Sequence, residues 1–281
     1  MPYLPFKPLL QACILSLMLA ICTPVSADAP AKPDVRLAVV NIADDILIPL
    51  AADFEAHTGL TAKIVYAGSN PFAVAEAGDV DLVVSHFGHP LAQGFVEKGA
   101  GLYPKTVFAN QAVILGPPAD PAGIRNMRDA AAAIKRIASS GAKLHTNGHG
   151  ANDLLDILSL SAGVDQDGWV IRSELSGKAA IDSAAKAGAY IIWGLPPFLR
   201  HQKSWAGALE ILGSDDPIFQ RIMVSMPANP EKIPGANLKA ARQFEQYLLS
   251  ARAQARIRDF RYRGLEKQAW WPAGRHNSPA D

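Results

Sequence analysis

Cysteine is almost absent from this chain, and its two residues, Cys13 and Cys22, both fall before residue 28. The roughly 250 residues that follow therefore have no disulfide, thiol nucleophile or thiolate metal site, and their stability has to come from burial. An excess of one charge is lacking as well: 27 Lys and Arg stand against 26 Asp and Glu. No basic block occurs before Arg252–Arg263, so most of the chain has no electrostatic footprint for nucleic acid. There is no Gly-x-Ser-x-Gly elbow, phosphate loop or His-Glu-x-x-His motif, and nothing selects a Ser/His/Asp set, so no enzyme class is indicated. A second long apolar run is also missing, which argues against membrane insertion beyond the N-terminal segment.

That N-terminal segment has one basic residue, Lys7, an apolar stretch Leu9–Ile21 and the small-residue ending Val25-Ser26-Ala27. An apolar block of about 13 residues is short for a membrane span and suits the core of a signal peptide. Residues 1–27 are expected to be such a signal, with Asp28 beginning the mature chain; a membrane anchor is the alternative. A lipoprotein form through Cys22 is disfavoured, because bulky Ile21 precedes it.

Beyond the signal, short apolar runs alternate with helical patterns. Val35–Val40, Leu60–Tyr66 and Asp81–Val84 read as strands. Asp44 or Asp45 can cap a helix that Gly59 stops, and Pro71 suits the first position of another. This order implies an α/β architecture with parallel strands whose loops gather at one edge. Val107–Leu115, broken by Asn110 and Gln111 and ended by Gly116-Pro117-Pro118, reads as a long crossing strand, and Phe219–Met226 as the return. Helices are expected at Ala122–Ser140, Asn152–Ala162, Lys178–Ala187, Leu238–Ser250 and Ala251–Phe260, with strands at Lys143–Thr146, Ala189–Trp193 and Leu209–Leu212. The partition that follows is one lobe from 28–115 and 218–281, a second from 116–217, and a two-crossing hinge between them. A single doubly wound domain without a moving cleft is the alternative.

Ile114–Ile124 (ILGPPADPAGI), Asp53–Ser69, Gly78–His86, Phe95–Gly101 and Asp259–Pro272 together resemble the extracytoplasmic tungstate-binding proteins of ABC transporters. The likeness spans nearly all of the chain after the signal. It implies a type II periplasmic-binding-protein fold and a periplasmic, monomeric, cofactor-free binder that delivers a small oxyanion of the tungstate or molybdate kind to a permease. The chain departs from the family pattern at three turns. Asn41-Ile42-Ala43-Asp44 replaces a Thr/Ser-rich turn, Asn147 takes an arginine position, and Ser176-Gly177-Lys178 replaces a Thr-Gly-Gln-Gly type loop.

An oxyanion needs converging donors: hydroxyls, amides and the N–H groups of helix starts. Asn41, Ser69, Asn70, Ser85, His86, Thr146, Asn147, His149 and Ser176 are the candidates at predicted strand ends, and Lys178 could add a cation. Taken singly, each also reads as an ordinary cap or turn residue. Asp44 opposes an anion if it points inward, and otherwise caps its helix. Two alternatives remain. The first is a ligand sensor of the same fold. The second is a Zn²⁺ or Ni²⁺ carrier using His86, His89, His145 and His149, with Asp44 as a carboxylate ligand. Trp193 reads as core or as a cleft wall, Trp270-Trp271 as packing, and Arg252–Arg263 as a solvated helix face or a permease contact.

Overall fold

The structure, a computed structural model, describes residues 32–148 and 151–273; the expected signal segment and His149 lie outside the described residues. The continuous apolar run Val35–Val40 forms β1, and all six residues are buried. Asp44–Thr58 follows as α1 and ends where Gly59 takes a left-handed conformation, φ 72°. β2 (Ala62–Gly68) leads through Asn70 to α2 (Pro71–Glu76), and β3 (Leu82–His86) leads through His89 to α3 (Pro90–Glu97). β4 (Lys105–Gly116) is the predicted crossing strand, buried along its last ten positions.

Next come α4 (Ala130–Ser139), β5 (Leu144–His145), α5 (Ala151–Ala162), β6 (Val170–Ile171), α6 (Gly177–Ala187), β7 (Tyr190–Gly194), α7 (Leu195–His201) and β8 (Glu210–Gly213). The return strand β9 (Gln220–Pro227), the paired helices α8 (Leu238–Leu248) and α9 (Ala251–Asp259), and β10 (Trp271–Pro272) complete the order.

One expectation needs correction, and one helix is unexpected. The helix expected over Ala122–Ser140 begins only at Ala130. Asp120, Gly123 and Asn126 have positive φ, and Asp129 caps the helix through Ala132 N–H at 2.8 Å. Leu195–His201, where no element is expected, is helical, because prolines in a first turn forfeit only N–H groups that have no helical partner.

The strands lie in the order β2-β1-β3-β9-β4-β7-β5-β6, with β8 and β10 also pairing β4. β1, β2 and β3 are mutually parallel, as are β5, β6 and β7, whereas β9 runs antiparallel to β3 and to β4. β4 is shared by both halves. Its first part, to Gln111, pairs β9, and its last part, from Ala112, pairs β7. One core, containing Phe54, Phe108, Phe244 and Trp270, extends through Val113 and Leu115 to Phe198 and Trp205. A second lies under α4 and α5, and a third under α2 and α3. The Trp270 ring is fully buried, edge-on to Phe108 at 5.4 Å, as the packing reading anticipates.

Register places the site. Ala112 faces Gly194, Gln111 faces Gln220, Asn110 faces Arg221, and Met223 faces His86. The C-terminal ends of β3 and β7 therefore converge on the same short stretch of β4 and β9. A ligand belongs where parallel strands of both halves end.

Candidate functional site

On one side of the crossing, two turns are tied together. Asn70 caps α2, its Oδ1 accepting from Ala73 N–H at 3.2 Å, and its own N–H reaches the Tyr66 hydroxyl at 3.3 Å. Gly68 has no room for a side chain, since a Cβ there would meet the Tyr66 hydroxyl at 2.2 Å. His89 accepts from Leu91 N–H through Nδ1 and donates through Nε2 to the Ser69 carbonyl at 3.0 Å, joining the Ser69–Asn70 turn to the start of α3. Asn41 and Ser69 are exposed at the ends of β1 and β2.

β3 ends in two polar residues that the protein does not satisfy. Ser85 is fully buried with its hydroxyl unpartnered, and His86 Nδ1 is likewise buried without a hydrogen bond. Burial, reinforced by the nearby charges of Arg221 and His89, pushes the His86 imidazole down to about 4, so it is neutral near pH 7.

Across the crossing, the turn after β5 is pinned to the segment before α6. Thr146 N–H reaches the Ile171 carbonyl at 2.9 Å, Ser173 N–H reaches Thr146 Oγ1 at 2.8 Å, and Gly148 N–H reaches the Leu175 carbonyl at 2.7 Å. Asn147 is 5 % exposed and its Nδ2 donates to the Ile192 carbonyl on β7 at 3.1 Å. Thr146 and Asn147 are thus brought close to the segment leading to Ser176, which precedes α6 as an exposed residue with no side-chain capping bond. Leu144, His145, Thr146, Asn147, Asn152, Leu155 and Ile192 line a tight recess there.

Two candidates take different roles from those expected. Lys178 forms an exposed pair with Asp182 one turn along α6, its ammonium 2.6 Å from that carboxylate and 5.9 Å from the Trp205 ring centre. Asp44 neither faces the crossing as a lone charge nor caps α1 with its side chain. Arg200 of α7 bridges Asp44 Oδ1 and Asp45 Oδ2, both at 2.6 Å. Of the histidine set, only His86, His89 and His145 lie among the described residues. His145 is buried with Nδ1 donating to the Thr146 carbonyl at 2.6 Å and Nε2 3.0 Å from the Ser183 hydroxyl. Among the described residues, no three His, Cys, Asp or Glu side chains form a metal-holding group. Trp193 packs against the first core, as the core reading holds.

Arg221 is the residue that the sequence reading missed. It is half-buried at the start of β9, its side chain has no hydrogen bond or ion pair to the described residues, and it loses affinity for its proton through desolvation, opposed by the charge of Asp153 on α5. Its one sequence signal is a lone arginine near the start of the apolar run QRIMVSMP, two residues after Phe219.

Two sets of parallel strands flank a shared crossing strand, and strand ends from each set meet near its middle, the strand arrangement of an α/β binding fold. The profile of the family described as bacterial extracellular solute-binding protein matches residues 35–263, and the chain belongs to that family. It is 28 % identical over 245 residues to the tungstate-binding protein TupA of Peptoclostridium acidaminophilum, covering 84 % of each chain. The structure of the tungstate-binding protein TupA from Desulfovibrio alaskensis G20 superposes with a TM-score of 0.75 at 26 % identity, covering 86 % of this chain and 99 % of that one. The tungstate ABC transporter structure from Geobacter sulfurreducens gives a TM-score of 0.68 at 28 % identity, with 80 % and 98 % covered. The fold is that of the periplasmic binding proteins, as the α/β reading expects.

Proposed function

We propose that this chain is the periplasmic solute-binding component of an ABC importer, that it takes a small oxyanion of the tungstate or molybdate kind at the crossing, and that it performs no catalysis. The observation that carries the ligand class is the gathering of unsatisfied or donor-rich groups at that crossing, where the carboxylates of Asp44 and Asp45 are held by Arg200. Arg200 occupies Asp44 and Asp45, while His86, Arg221 and the turn at Thr146–Asn147 lie at the strand ends. Relatives named for tungstate binding, matched over most of their length, support the same reading.

In this account the halves 28–115 with 218–281 and 116–217 close on the ligand by bending at β4 and at the start of β9. The closed form, as a monomer, then docks on a separate permease. The N-terminal 27 residues direct export and are removed. Calorimetric titration of the mature chain with tungstate, molybdate, sulfate and phosphate tests the ligand class. Saturable tungstate or molybdate binding is expected. Heat with Zn²⁺ or Ni²⁺ and none with any anion would replace the oxyanion reading with a metal-carrier one.

A further inference from the structure

The face of β9 that carries Arg221 joins the two sides of the crossing. Side chains two apart on a strand share a face, so Arg221 and Met223 lie in one row of β9, with Phe219 in the short helical turn just before it. Phe219, at the entrance to this row, packs in the second core with Ala112 and with Leu154, Leu155 and Leu158 of α5. Met223, at the other end, lies directly opposite His86. Asn110, opposite Arg221, is 2 % exposed, and its amide has only the weak acceptor Met223 Sδ, at 3.8 Å. Arg221 therefore stands between the polar end of β3 and the first turn of α5, where Asp153 sits.

A guanidinium has five N–H donors in a planar fork, and that of Arg221, half-buried with no acceptor among the described residues, leaves its fork open to an incoming one. The other cations near the strand ends are paired with carboxylates, Lys178 with Asp182 and Arg200 with Asp44 and Asp45. His86 adds a buried ring nitrogen without a partner beside the same guanidinium.

We propose that Arg221 is the cationic anchor of the ligand site, its guanidinium gripping the oxyanion from the return strand while Asn110 and His86 complete that side and the carboxylate of Asp153 in the first turn of α5 opposes the anion. This rests on the oxyanion reading above and names the residue that confers it. A fork–oxyanion contact makes parallel charge-assisted bonds, which a lysine cannot reproduce in geometry and a glutamine cannot reproduce in charge.

The test is calorimetric titration with sodium tungstate, together with thermal melts, of the wild-type mature chain, Arg221→Gln, Arg221→Lys and Asp153→Asn. Arg221→Gln is expected to bind at least about 100-fold more weakly with its melting point retained, Arg221→Lys about tenfold more weakly, and Asp153→Asn several-fold more tightly. If Arg221→Gln does not fold, Arg221→Lys together with Asp153→Asn decides, and wild-type affinity in both overturns the assignment. A folded Arg221→Gln within threefold of wild type overturns it as well. A wild-type chain that binds no oxyanion removes the functional reading itself, a result distinct from either.

Discussion

Arg200→Ala removes a link between helices from the two sides of the crossing, and its cost can be worked out from the geometry. Arg200 sits in the last turn of α7 and makes two 2.6 Å contacts, Nε to Asp45 and Nη2 to Asp44, in the first turn of α1. The three side chains are 29 %, 26 % and 28 % exposed, between a buried pair and a surface one. A charge-assisted bond in that setting contributes about 1 kcal/mol after solvent screening, so the bridge as a whole contributes about 2 kcal/mol. The substitution also leaves two adjacent carboxylates without their shared cation. If the bridge forms as the halves close, that energy belongs to the closed state, and tungstate affinity falls by about 10- to 30-fold although Arg200 is not placed at the ligand. The melting point should fall by about 4–8 °C. The assay is paired calorimetric titration and thermal melting of Arg200→Ala against wild type. Lower melting with unchanged affinity would show a bridge present in every state and refute its part in closure. No change in either quantity would refute the energetic argument too.

Asp53 is 7 % exposed and takes bonds from Tyr247 at 2.8 Å, Arg252 at 2.7 and 2.8 Å, and Arg256 at 2.6 Å, tying α1 to α8 and α9. Its carboxyl is held far below the usual range, chiefly by Arg252. Because both arginines are about half exposed, Asp53→Asn should cost about 2–3 kcal/mol by denaturant titration and leave tungstate affinity unchanged. A loss under 0.5 kcal/mol would count against that buried cluster. His86 supplies a pH signature. Its folded value of about 4 lies below the unfolded 6.5, so the unfolded chain protonates first; stability is full above pH 6.5 and is lost toward pH 4, by about 3 kcal/mol at most. Subtracting the His86→Gln profile from wild type should isolate that slope, and parallel profiles would contradict it. Gly148→Ala places a Cβ 2.8 Å from the Glu174 carbonyl oxygen, so it should displace the turn after β5 and weaken tungstate binding more than it lowers the melting point; wild-type affinity would mean that this turn does not shape the site.

Much of this fold is legible in the chain because single features decide it. An unbroken apolar run makes β1, Gly59 ends α1, and Asn110-Gln111 marks where β4 changes partners. The segment before α4 misleads because alanine and isoleucine spacing continues through residues whose backbone is set by tertiary contacts. Asp120 accepts from Tyr190 at 2.7 Å and from the Ile124 and Arg125 N–H groups, which holds that stretch in turns. The site divides in the same way. Thr146, Asn147 and Asn70 advertise themselves as polar residues in turns, whereas Lys178 reads as a lone cation only until Asp182 is seen one helical turn away. Arg221 has no local pattern. One arginine in an apolar strand becomes informative only through register, which puts it opposite Asn110 and between Phe219 and the strand position facing His86.

The most direct measurement is the tungsten anomalous signal in crystals of the mature chain grown with tungstate. The account predicts one strong peak at the crossing, within hydrogen-bonding reach of the Arg221 guanidinium, between the end of β3 and the first turn of α5. A fully occupied peak elsewhere, out of reach of the Arg221 guanidinium, would contradict it.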